Sequence, residues 1–168
     1  WRFDDEFTDQ VAGDSGAGSL HAALAGAPTK APGLAFGPPA AGELAVRFNG
    51  WNEYATISAP DSRFNLPVAM SIEAWVYPDF LPGEKAGLVS KGTVYGWELA
   101  MDANGKVTFR TDGLTGPNPT NGALRVQAPE LASRTRLDAC TWYHIAATWD
   151  QLAGRKAVYL TGVLDAEG

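Results

Sequence analysis

The chain has 168 residues, 45% of them hydrophobic and 19% charged, and carries a net charge of −6 at pH 7. That length can bury the core of one domain, but 19 glycines and 11 prolines punctuate it too often for a helical bundle. The acidic balance argues against nucleic acid, whose binding needs a basic face. The short apolar runs leave no membrane-spanning helix, and a single cysteine, Cys140, leaves no internal disulfide and no multi-thiolate zinc site.

The chain opens at Trp1 without a charged-then-apolar leader; the expectation is a removed leader or a segment of a longer protein. The aromatics Trp1, Phe3 and Phe7 suggest a first strand over residues 1–7. An excursion rich in Gly, Ala and Pro follows over residues 8–43, with a turn at Gly13-Asp14-Ser15-Gly16-Ala17-Gly18 and a loop at Pro38-Pro39. Residues 19–25 have room for one helical turn. From Leu44 the pattern changes to short strands between turns. Residues 44–48 alternate, Asn49-Gly50 turns, and residues 54–57 follow as a strand. Residues 70–77 alternate strictly, placing Met70, Ile72, Ala74 and Val76 on a core face and Ser71, Glu73, Trp75 and Tyr77 on the other. Residues 97–101 and 107–110 flank Asp102-Ala103-Asn104-Gly105-Lys106, a hairpin turn. There Leu99, Met101, Val107 and Phe109 face the core, and Glu98, Thr108 and Arg110 face away. Residues 142–149 put Tyr143, Ile145, Ala147 and Trp149 inside and Trp142, His144 and Thr148 outside; residues 157–160 complete the set. The fold class is all-β, a two-sheet antiparallel sandwich or jelly roll, organised as one domain over residues 1–168.

Most chemical motifs fail on inspection. Gly13-Asp14-Ser15-Gly16 resembles a serine-protease nucleophile loop, but both histidines, His21 and His144, lie downstream of it. Neither histidine has a partner at metal-ligand spacing. No phosphate-binding loop is present. Glu98 and Asp102 share a strand face, yet their backbones sit about 13 Å apart at a strand's rise of ~3.4 Å per residue, too far for the roughly 5–9.5 Å of a glycosidase pair. Asp102 also falls where capping the turn is its ordinary task. Trp51 stands apart from the other tryptophans because it sits in a polar turn, Asn49-Gly50-Trp51-Asn52-Glu53. It either stacks on a sugar ring or folds back over the sheet edge.

Taken in order, a series of blocks resembles the laminin-G-like jelly-roll domains of the concanavalin A-like lectin/glucanase group, of the bacterial type found in large extracellular proteins. They are Trp1-x-Phe3-Asp4-Asp5-Glu6, Asp14-Ser15-Gly16-x-Gly18, Ala45-Val46-Arg47-Phe48-Asn49-Gly50-x-x-Glu53-Tyr54, Met70-Ser71-Ile72-Glu73-Ala74-Trp75-Val76-Tyr77-Pro78, Leu88-Val89-Ser90-Lys91-Gly92, Trp142-Tyr143-His144-Ile145-Ala146-Ala147-Thr148-Trp149-Asp150 and Val158-Tyr159-Leu160-x-Gly162. Two departures stand out. Phe48-Asn49-Gly50 and Glu53-Tyr54 replace the family's Phe-Asp-Gly and Asp-Tyr. The family's closing C-terminal strands are expected to be missing, leaving an open sheet edge to be completed by a longer parent protein or another chain.

The resemblance implies a non-catalytic, extracellular or cell-surface module that binds a polysaccharide or other glycan. The alternative is a structural domain that meets protein partners in a surface or filamentous assembly, and a glycoside hydrolase is disfavoured because the Glu-x-Asp-x-Glu motif is absent. The expected ligand-binding residues are Trp51, Asn52, Glu53, Glu73, Glu98 and Arg110. The last three join Trp75, Trp142 and His144 in an outward-facing set expected on neighbouring strands. Members of this fold often hold one Ca²⁺; Asp4, Asp5, Asn49 and Glu53 are the candidate ligands, with solvated turn carboxylates as the competing reading.

Overall fold

The computed structural model describes residues 1, 10–14, 20–33, 44–57, 64, 69–92, 96–111 and 130–168. The chain divides into two compact units, Trp1–Pro60 and Asp61–Gly168. The expected strand over residues 1–7 falls almost wholly outside the described residues.

In the first unit, β1 (Val11–Ala12), β2 (Ala22–Ala25) and β5 (Tyr54–Thr56) form an antiparallel sheet in the order β1-β2-β5, while β3 (Thr29–Pro32) pairs with β4 (Leu44–Arg47). The helical turn expected within residues 19–25 is therefore corrected to a strand. Ala22 and Leu24 are buried with Ala12, while β2 bonds to neighbours on both sides. Local alanine propensity yields to this tertiary pairing. The turn at Gly13-Asp14 is held by Asp14, whose Oδ2 accepts the Leu20 N–H at 2.8 Å; residues 15–19 lie outside the described set. His21 Nδ1 accepts the Asp14 N–H at 3.2 Å.

Among the described residues, the second unit holds two four-stranded antiparallel sheets. One runs β10-β9-β8-β7, from β7 (Ala86–Lys91), β8 (Trp97–Met101), β9 (Lys106–Thr111) and β10 (Leu131–Arg136). The other runs β13-β12-β11-β6, from β6 (Ala69–Val76), β11 (Tyr143–Asp150), β12 (Arg155–Leu160) and β13 (Val163–Glu167). Their inner faces share one core, in which Leu99, Val107 and Phe109 of the first sheet meet Ile145, Ala147 and Val158 of the second. This is the all-β sandwich expected from the alternating pattern.

The registers explain the alternation. Ile145 stands opposite Ala74 on β6 and Leu160 on β12, and Ala147 opposite Ile72 and Val158. Leu99 stands opposite Phe109 on β9. Thr108 departs from expectation: alternation places it on the outer face, yet it is buried, as is Ala100 opposite it. Lys156 lies inward by register, buried, with Nζ 5.6 Å from the centre of the Trp149 ring, within cation–π range.

Turns are set locally. Asp102 Oδ1 accepts the N–H groups of Asn104 and Lys106, both at 2.8 Å, and Gly105 takes the left-handed φ of +80° that a Cβ would resist. These bonds hold the Asp102 carboxyl below its usual pKa, the Lys106 N–H contributing most. Asp102 is thus a turn-former and not half of an acid pair. The residues after Leu160, which the alternating pattern left out, form β13 through a Thr161-Gly162 turn. Asp165 on β13 accepts the Arg134 and Thr135 N–H groups of β10 at 2.5 and 3.1 Å, tying the edge of one sheet to the edge of the other.

Candidate functional site

The predicted site residues fall in three places. Trp51, Asn52 and Glu53 lie in the β4–β5 loop of the first unit. The sequence Asn49-Gly50-Trp51-Asn52-Glu53 explains the shape of that loop. Asn49 Oδ1 accepts the N–H of Trp51 at 2.9 Å and of Asn52 at 3.1 Å, its amide donates to Asn52 Oδ1 at 2.8 Å, and Glu53 Oε2 accepts the Asn49 N–H at 2.7 Å. The side-chain oxygens replace missing backbone partners, as asparagine does in turns. Gly26, at φ +83°, packs beneath: a Cβ there would sit 2.6 Å from the Asn52 carbonyl oxygen. From this braced base Trp51 projects with 91% of its surface exposed. Of the two readings of Trp51, folding back over the sheet edge is excluded. Phe48 and Tyr54, at the ends of the loop, are exposed as well.

The loop's oxygens also bear on calcium. Asn49 Oδ1 and Glu53 Oε2 point at the loop's own N–H groups, so these atoms hold the turn instead of facing a cation. Among the described residues no group of three or more His, Cys, Asp or Glu side chains could hold a metal ion. Asp4 and Asp5 lie outside them.

The second place is the outer face of β6 and β11. Glu73, Trp75 and His144 meet there as expected. His144 is opposite Trp75, their ring centres 5.1 Å apart, and its Nε2 lies 3.3 Å from Glu73 Oε2. Trp142 packs on Tyr77 at 5.4 Å. Tyr77 is a member that candidate selection missed, although its alternation with Trp75 places it on the same face. Its phenol pKa is raised, by desolvation first and then by the neighbouring Cys140 and Asp79.

The third place corrects an expectation. Glu98 and Arg110 do not join that set: they are cross-strand partners on β8 and β9, in the opposite sheet. β6 pairs with β11, distant in sequence, whereas β7, β8 and β9 pair consecutively as hairpins. Glu98 Oε2 lies 2.7 Å from Lys85 Nζ and 3.7 Å from Arg110 Nε, and Lys85 also holds Glu130 at 2.5 Å. Desolvation works against the Lys85 charge, but Glu130 and Glu98 outweigh it and raise the lysine's pKa. Neither Lys85 nor Glu130 carries a local signal; only strand pairing joins them.

A family model described as the concanavalin A-like lectin/glucanases superfamily (Laminin_G_3) matches residues 48–168. The chain belongs to this family. A solved structure from Bacteroides ovatus, provisionally named a carbohydrate-binding protein, is 16% identical, with a TM-score of 0.44. The match covers 60% of this chain and 26% of that one, so the chain spans only about a quarter of its length. Among curated proteins nothing matches the chain.

For a lectin/glucanase family member, the disposition of acids matters. Glu98 and Glu130 both hold the Lys85 ammonium, at 2.7 and 2.5 Å, so these two acids are engaged in a charge cluster. Among the described residues no helix is long and apolar enough to cross a membrane.

Proposed function

We propose that this protein is a non-catalytic carbohydrate-binding module of an extracellular or cell-surface protein, with Trp51 as its principal stacking contact. The observation that carries this reading is the 91% exposure of a tryptophan on a hydrogen-bonded loop. An indole held in water has apolar area left to bury. A sugar ring offers an apolar face for that plane and hydroxyls for the Asn52 amide beside it. Because the loop is already ordered by Asn49 and Glu53, little entropy is lost when a ligand settles on it. Phe48 and Tyr54, at the ends of the same loop, are exposed as well. The non-catalytic reading is supported by the engagement of Glu98 and Glu130 with the Lys85 ammonium.

The test is retention on a panel of immobilised polysaccharides. Trp51→Ala is expected to weaken binding by about 1–3 kcal/mol, taking aromatic stacking on nucleobases as the guide, and to leave the melting temperature unchanged. If the variant unfolds, or if no polysaccharide retains the wild-type protein, the scaffold reading replaces this one.

A further inference from the structure

We infer that the aromatic end of the outer face of β6 and β11 is a second glycan contact, selective for neutral over anionic chains. This rests on the carbohydrate-binding reading above but uses different residues in the other unit.

The interior sides of these strands are already filled by Ala74, Val76, Tyr143 and Ile145, all packed inward by register. Trp75, Tyr77, Trp142 and His144 are therefore not needed to build the core. They stand as two adjacent cross-strand ring pairs, tilted at 51° and 52°. Residues two apart on a strand are about 7 Å apart, so the pairs form a stepped surface running along the strands. Trp75 remains 43% exposed and Tyr77 41%. Scattered single apolar residues need no explanation, but contiguous exposed ones mark interaction surfaces.

Charge selects the occupant. The outward positions of β6 and β11 carry Glu73 and Asp150 and no lysine or arginine. The Glu73 side chain is 75% exposed, with His144 beside it. On β12 the outward Arg155 is paired with Glu167 at the far end of the face. A uronate or sulfate laid on the rings would meet the Glu73 carboxylate, and no outward lysine or arginine of β6 or β11 offsets it. A neutral sugar would meet aromatic planes, a carboxylate that accepts from its hydroxyls, and an imidazole.

The full chain should be titrated, by affinity electrophoresis, with a panel of neutral glucans, mannans, xylans and galactans and with polygalacturonate and heparin. The wild-type protein should be retarded by at least one neutral polymer and by neither anionic one. Tyr77→Ala should weaken the neutral interaction about tenfold, in line with the loss of one stacked ring, at unchanged melting temperature. Glu73→Lys, at a solvated position that folding tolerates, should create retardation by polygalacturonate. If Trp51→Ala weakens binding while Tyr77→Ala and Glu73→Lys behave as wild type, this second contact is overturned and the Trp51 reading survives. Stronger retardation of wild type by an anionic polymer overturns the selectivity. Retardation by no polymer at all removes the carbohydrate reading itself.

Discussion

The two outer faces of the larger unit are written with the same alternation and come out chemically opposite. On the β7–β10 sheet charged groups cluster: Lys85 holds Glu98 and Glu130, with Arg110 alongside. On the β6–β11 face, rings meet rings, and Trp75 and Tyr77 stay partly exposed. The contrast teaches that alternation decides only which side chains leave the core. What an outer face presents depends on which strands lie side by side.

Substitutions can break this comparison at three depths. The deepest is the shared core. Ile145 is fully buried between the sheets, so Ile145→Ala should cost about 2–5 kcal/mol and disturb both outer faces together. A denaturant titration checks it; a loss confined to one face would show that the sheets do not depend on a common interior.

The next largest effect is expected at the seam. Asp165 accepts two N–H groups from β10, and hydrogen bonds to a charged acceptor contribute about 1.5–3 kcal/mol each before solvent screening. Because the site is largely solvated, Asp165→Ala should cost about 1–2 kcal/mol in total. Desolvation pushes the Asp165 pKa up, but the Thr135 and Arg134 bonds prevail and lower it. A carboxyl whose folded pKa lies below its unfolded one stabilises the fold above the unfolded value and loses that contribution as pH falls through the folded one. Asp102 has the same sign. Thermal stability should therefore decline below about pH 4, and Asp165→Asn should flatten that decline. An unchanged acid profile in the variant would show that the seam does not depend on the carboxylate charge.

The smallest effect separates the two faces directly. Lys85→Ala removes the hub of the charged face, yet its side chain is 38% exposed, so the cost should stay under about 1 kcal/mol and shrink with added salt. Retention on neutral polysaccharide should not change. A loss of retention would move the binding surface from the aromatic face to the charged one.

Much of this architecture was legible in the residues themselves. The strict alternation from Met70 to Tyr77, the Asp102-to-Lys106 hairpin and the inward set Tyr143, Ile145, Ala147 and Trp149 all arise from a period of two and from turn chemistry that acts over a few positions. The Trp51 loop was equally local, because its hydrogen bonds span no more than four residues. Strand β2 was not legible, since Ala22, Ala23, Leu24 and Ala25 suit a helix as well as a strand and only pairing to β1 and β5 decides. Strand β13 had too little alternation to stand out until β12 supplied its partner.

By itself, then, the sequence determined the fold class, the faces of the long strands and the candidate tryptophan, because each follows from interactions between near neighbours in the chain. Only the tertiary structure decided that Glu73 lies with His144 while Glu98 lies with Lys85, and that Asp165 reaches the β10 backbone. Those contacts join residues 30 or more positions apart except for the local Lys85–Glu98 approach, which still needs β7 to return beside β8. No spacing rule reports such pairings, because the free energy that selects them comes from burying the whole of both sheets at once.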